Sequence, residues 1–115
     1  MGTAMEVTEG RMDGVTMLRV VGRVDSSVSK LLEQKVAEVA AHDDAIVVDL
    51  RDMNYVSSAG LRSFIILAKH ARSRNRTVAL CGMRDEVTEI FEISGLLELF
   101  TVHDSVEAAV ASLPQ

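Results

Sequence analysis

A chain of 115 residues with a formal net charge of −5 suits one domain spanning 1–115, which can bury roughly 65% of its unfolded surface without disulfides or a structural metal. The acidic balance, with no basic stripe interleaved with aromatics, argues against direct contact with nucleic acid. Hydrophobic residues make up 48% and aromatics 3%, so aliphatic packing must build the core, and no run reaches the ~18 apolar residues of a membrane span.

The residues from Met1 to Glu6 carry neither a basic n-region nor an apolar h-region, and the one cysteine, Cys81, sits in the apolar run 77–81. Together they predict a soluble protein without membrane insertion, holding a buried, reduced thiol in the cytoplasm.

Strand-like runs at 5–11 and 15–23 flank Met12-Asp13-Gly14, and Asp-Gly between such runs predicts an antiparallel hairpin. After Asp25-Ser26-Ser27, the apolar positions Val28, Leu31, Leu32, Val36 and Val39 recur at helical spacing. Residues 45–50, Ala-Ile-Val-Val-Asp-Leu, read as a central strand covered on both faces. A second helix carries Leu61, Phe64, Ile65, Ala68 and Ala71, widened by Ile66 and Leu67, and ends in Lys69, Arg72, Arg74 and Arg76, cations that suit the negative end of a helix.

A strand at 77–81 comes next. A third helix over about 85–94 then turns Val87, Ile90 and Phe91 inward and stops at Gly95-Leu96, a Schellman signature. Phe100-Thr101-Val102 forms the last strand. Asp104-Ser105-Val106-Glu107 opens the final helix as an acidic variant of the capping box, with Pro114 beyond its end. The order β-hairpin, α, β, α, β, α, β, α predicts an α/β fold: a mostly parallel sheet, an antiparallel N-terminal edge strand and about four helices.

Functional interest centres on Tyr55-Val56-Ser57-Ser58-Ala59-Gly60-Leu61-Arg62, where two hydroxyls stand between a short apolar strand and the start of the second helix. The free N–H groups and positive dipole end there favour an anion, so a phosphoryl group on Ser57 or Ser58 would meet waiting donors. The bland role of Ser58 is a helix N-cap worth ~1 kcal/mol. Asp25 has two readings, as initiator of the first helix or as a neighbour of Ser58 at the carboxyl end of the sheet.

The pattern Val47-Val48-Asp49-Leu50 followed by Tyr55-Val56-Ser57-Ser58-Ala59-Gly60-Leu61, with Gly22-Arg23-Val24-Asp25 before it, resembles the STAS family and its bacterial anti-sigma factor antagonists over nearly the whole chain. The resemblance implies the STAS fold and a non-enzymatic partner switch. It makes Ser58, two positions before Gly60, the phosphorylated serine, with Ser57 where many members carry Asp and Ala59 where they carry a second hydroxyl. The implied partners are an anti-sigma factor with serine kinase activity, bound by the unphosphorylated protein, and a serine phosphatase. Asp25, Ser57, Gly60, Leu61, Arg62 and Met83 become the expected partner-binding positions. Met83 and Arg62 also have plain readings, as a gap-filling thioether and a solvated charge.

The alternative within the family is a scaffold or adaptor subunit of a transporter or lipid-transport complex, never phosphorylated. A receiver domain fits less well. No acidic pair closes the first or second strand, no lysine closes the strand near residue 81, and no proline follows Met53. Catalysis finds little support: Ser58 lacks a Gly-x-Ser-x-Gly elbow, and His42, His70 and His103 have no metal-ligand or general-base spacing. The resemblance leaves nucleotide binding open, as in some STAS domains, but no Walker-type loop is present to support it, and no cofactor is expected.

Overall fold

The computed structural model describes residues 5–12, 14–41 and 45–113. Strands β1 (Glu6–Met12) and β2 (Val15–Val24) form the expected hairpin, paired antiparallel from Glu6↔Val21 to Met12↔Val15. Asp13 lies outside the described residues, while Gly14 takes the positive φ of 76° that a tight turn demands. Helix α1 (Ser29–Ala40) leads to β3 (Ala45–Asp49) and β4 (Met53–Val56), then α2 (Ser58–Ser73), β5 (Val78–Cys81), α3 (Asp85–Ile93), a 3₁₀ turn at Leu97–Leu99, β6 (Phe100–His103) and α4 (Val106–Ser112).

The sheet has the order β1-β2-β3-β5-β6, with β4 also paired to β2. All pairings beyond the hairpin are parallel, so the antiparallel edge strand sits where it was expected. The sixth strand, β4, is an addition to the sequence-derived order. It exists because β2 is ten residues long and serves two partners in succession: Val15 to Arg19 pair with β3, and Gly22 to Val24 pair with β4 across a register irregularity. The chain therefore turns at residues 50–52 and resumes its climb along the same neighbour.

Alternation along the buried strands divides the core. Leu18, Val20, Ile46, Val48, Val78 and Leu80 face α1, α2 and α3, where Leu32, Val36, Phe64, Leu67 and Phe91 close the larger cluster. Val15, Val47, Ala79 and Cys81 face the other way, against Ala109 and Leu113 at α4. This two-sided burial explains the unbroken apolar run of β3.

Three helix details correct the sequence reading. Leu31 is 54% exposed, because Leu32, Val36 and Val39 set the buried stripe of α1 and Leu31 lies on its flank. On α2, Leu67 is fully buried while Ile65 is only partly so. The cap of α4 is Ser105, whose hydroxyl accepts from the Ala108 N–H at 3.1 Å, one position later than an Asp104 cap; Pro114 lies outside the described residues. The predicted Schellman ending of α3 is present: Leu96 N–H donates to Phe91 O and Gly95 N–H to Glu92 O, with Gly95 at φ 73°.

Candidate functional site

The first turn of α2 is fastened to the ends of β2 and β4. Ser57 N–H donates to Val24 O at 2.8 Å, which places the loop after β2 beside the loop before the helix. Gly60 is buried because the helix comes so close: a Cβ there would stand 2.7 Å from Val24 Cγ1 and 2.8 Å from Val56 Cγ2. Leu61 is buried next to it, so this glycine and leucine anchor the helix from below.

The helix cap belongs to Ser57, not Ser58. Ser57 has extended backbone, and its hydroxyl accepts from Gly60 N–H at 3.2 Å, while its carbonyl accepts from Leu61 N–H. Ser58 is the first helical residue and is exposed. With Gly60 N–H taken by the cap, the N–H groups of Ser58 and Ala59 are the first-turn donors without an intrahelical acceptor. Arg62, also exposed, follows Ser58 by four residues, the spacing at which helical side chains meet.

Asp25 sits one residue past Val24 and organises its own loop. Its carboxylate accepts from Ser27 N–H at 3.0 Å and from the Ser27 hydroxyl at 2.5 Å. The Ser27 hydroxyl and N–H first, and the charge of Arg23 after them, hold its carboxyl below the usual carboxylate range against the opposing effect of burial. The start of α1 falls at Val28, without a side-chain cap, so the initiating role read for Asp25 becomes that of a turn residue. Asp25 and Ser57 are thus brought to one end of the sheet.

Two residues of the sequence motifs that have no role of their own in the sequence reading complete this corner. Arg23 and Tyr55 are register partners across β2 and β4; the guanidinium lies 3.9 Å from the centre of the Tyr55 ring and 3.6 Å from the Asp25 carboxylate. Only the pairing of β4 brings them together, and that pairing has no local signature.

Met83 occupies different ground. It is half-buried against the larger core cluster and lines a groove with Arg51, Asp85 and His103, to which neither Asp25 nor Ser58 contributes. That groove is braced by Asp49, 4% exposed, which accepts from the Arg51 side chain at 2.8 and 3.0 Å. Burial alone would push the Asp49 carboxyl up; hydrogen bonds from Arg51 and the charges of Arg51 and Arg19 together hold it below its ordinary value. Arg84 donates to Arg51 O at 3.2 Å, and Gly82, at φ 73°, leaves the room that the Arg51 stem fills.

Among the described residues no group of three or more His, Cys, Asp or Glu could hold a metal ion. Burial first, and then the charge of Asp49, push the Cys81 thiol up to about 11, so it is a packed thiol and not an activated one. His103 accepts or donates with Thr101 and Ser112 hydroxyls, and His42 lies outside the described residues. Among the described residues no helix is long and apolar enough to cross a membrane.

The STAS domain model matches residues 7–109. The chain is 38% identical over 109 residues to BtrV of Bordetella bronchiseptica, named as a candidate anti-sigma factor antagonist, covering 94% of each protein. It is 28% identical over 104 residues to the anti-sigma-B factor antagonist of Listeria monocytogenes, covering 89% of this chain and 90% of that one. In fold it is similar to an anti-sigma factor antagonist from Mycobacterium paratuberculosis, with a TM-score of 0.89 at 19% identity over 98% of each chain. It is also similar to the Bacillus cell fate determinant SpoIIAA in its phosphorylated form, with a TM-score of 0.71 at 14% identity over 94% and 97% of the two chains. By its sequence and its fold, the chain belongs to the STAS domain family.

Proposed function

We propose that this protein is an anti-sigma factor antagonist that acts in the cytoplasm by partner switching. Unphosphorylated, it binds an anti-sigma factor with serine kinase activity; phosphorylation at Ser58 ends that binding, and a serine phosphatase restores it. The observation that carries the reading is the division of labour between the two serines. Ser57 caps α2, and the Ser58 hydroxyl is exposed at the first helical position, free of a structural duty that modification would disrupt.

The physics favours a release mechanism over an unfolding one. A phosphate on Ser58 adds about −1.5 to −2 charge at the positive end of α2, close to two unpaired N–H donors and one turn from Arg62, an arrangement that suits the free protein. The same charge stands on the corner that holds the ionised Asp25, where a partner would have to desolvate both. In this reading Asp25, Ser57 and Arg62 supply the polar contacts, Gly60 and Leu61 hold the helix start that presents them, and Met83 flanks the surface.

The test is a pull-down from the native lysate with Ser58→Ala and Ser58→Glu baits, confirmed with wild-type protein phosphorylated in vitro. A kinase-like anti-sigma factor held by the Ala bait and absent from the phosphorylated one supports the switch. Equal recovery of transporter or lipid-transport components on all baits would instead make the domain a scaffold.

A further inference from the structure

At the far end of α2 lies a groove that partner switching leaves unexplained. Ser58 and Arg72 are fourteen positions apart on one helix, about 21 Å at 1.5 Å per residue. There Lys69 and Arg72 of α2 and Arg76 of the following loop converge on a cavity of about 230 Å³ with Phe100 and Leu99 among its apolar walls. One acid, Glu98, also lines it. Thr77 precedes β5 and Phe100 begins β6, so the groove opens at the amino ends of these strands.

The helix dipole does not account for the cluster in full. The Ala71 and Arg72 carbonyls in the last turn of α2 are already closed by backbone donors: Arg76 N–H donates to Ala71 O at 2.8 Å and Asn75 N–H to Arg72 O at 3.0 Å, with Asn75 left-handed at φ 59°. The cations are therefore not spent as caps. The ion pairs of Arg19, Arg23, Lys35 and Arg51 engage none of Lys69, Arg72 and Arg76. In a chain with 17 acidic and 12 basic residues, three neighbouring cations without a carboxylate partner repel one another, and an anion would relieve that repulsion.

We propose that this groove binds a small phosphate monoester, its phosphate held by Lys69, Arg72 and Arg76 and its organic part against Phe100 and Leu99. Arginine forks match phosphate oxygens in geometry and charge. The volume, below the roughly 300–1,000 Å³ of pockets that enclose drug-sized ligands, suits a small monoester. The Glu98 carboxylate disfavours the same anion and so limits affinity.

Amide chemical shifts of the full chain, titrated with phenyl phosphate and separately with inorganic phosphate, test the site. The expected result is saturable shifts at Lys69, Arg72, Arg76 and Phe100, with phenyl phosphate the tighter ligand. The double variant Arg72→Gln/Arg76→Gln should weaken it by roughly tenfold or more, and Glu98→Gln should tighten it severalfold. Arg72, Arg76 and Glu98 are exposed, and a melting curve verifies that each variant folds. Absence of saturable shifts by about 10 mM, a range where any useful site would show, overturns the proposal, as does equal binding by the double variant. Binding confined to phosphatidic acid vesicles, without response to phenyl phosphate, overturns it in favour of a lipid surface.

Discussion

Replacing Gly60 with alanine probes how the site is built. The added Cβ would lie 2.7 Å from Val24 Cγ1, 2.8 Å from Val56 Cγ2 and 3.3 Å from Val24 O, whereas carbon atoms rest at about 3.5–4.0 Å. Val24 and Val56 are 0% and 3% exposed, and β-branched side chains have little rotamer freedom, so α2 must retreat by about 0.8 Å. Overpacking of this kind costs about 1–3 kcal/mol, and the gain from removing a helical glycine offsets at most about 1 kcal/mol. With that gain in full the net loss is about 0–2 kcal/mol, centred near 1 kcal/mol, or about 4 °C in Tm at roughly 4 °C per kcal/mol for this length. Calorimetry or urea unfolding reads it directly. Gly10→Ala is the control, since no atom lies within 4 Å of its added Cβ, and should lose no stability, gaining up to about 1 kcal/mol from removal of a strand glycine. A Gly60→Ala protein melting above the wild type would refute the close-approach argument.

Other substitutions separate structural from functional roles. Ser57→Ala removes the α2 cap and should cost about 1 kcal/mol, whereas Ser58→Ala should stay within about 0.5 kcal/mol in the same urea titration; equal losses would contradict the assignment of the cap. The native Asp49 carboxyl is held below its unfolded value, so the unfolded chain binds the extra proton. The stability this contributes is present above about pH 4 and fades as pH falls through the native value. Arg51→Met should therefore lower stability at pH 7 and lower it clearly less near pH 3, and a loss independent of pH would contradict the pairing. The Cys81 thiol, buried and raised to about 11, should react with a thiol reagent at pH 8 only as fast as the fold opens. Labelling as rapid as that of the unfolded chain would show the packing of α4 over it to be wrong.

The central strand, the hairpin and the ends of α3 are legible in the residues themselves, because apolar periodicity, Asp-Gly and Gly95-Leu96 act over a few positions. β4 is harder to read. Met53-Asn54-Tyr55-Val56 is four residues long and becomes a strand only because β2 outlasts β3. The choice between Ser57 and Ser58 as cap turns on the entry angle of α2, which Gly60 sets through contacts with Val24 and Val56. The Arg23–Tyr55 stack follows from the same pairing, and so does the placing of Asp25 and Ser57 at one end of the sheet. Met83 was readable as a loop residue after β5, but its groove depends on Arg51 filling the space left by Gly82.

The central claim is tested most directly by the affinity of the captured anti-sigma factor for wild-type protein, unphosphorylated and then stoichiometrically phosphorylated at Ser58, with melting curves on both forms. The account predicts a loss of roughly a hundredfold or more, as expected of a buried charge left unpaired, in a phosphorylated protein that melts no lower than the unmodified one. Equal affinity of the two forms would contradict the switch, and lost affinity with a collapsed melting temperature would contradict release through charge.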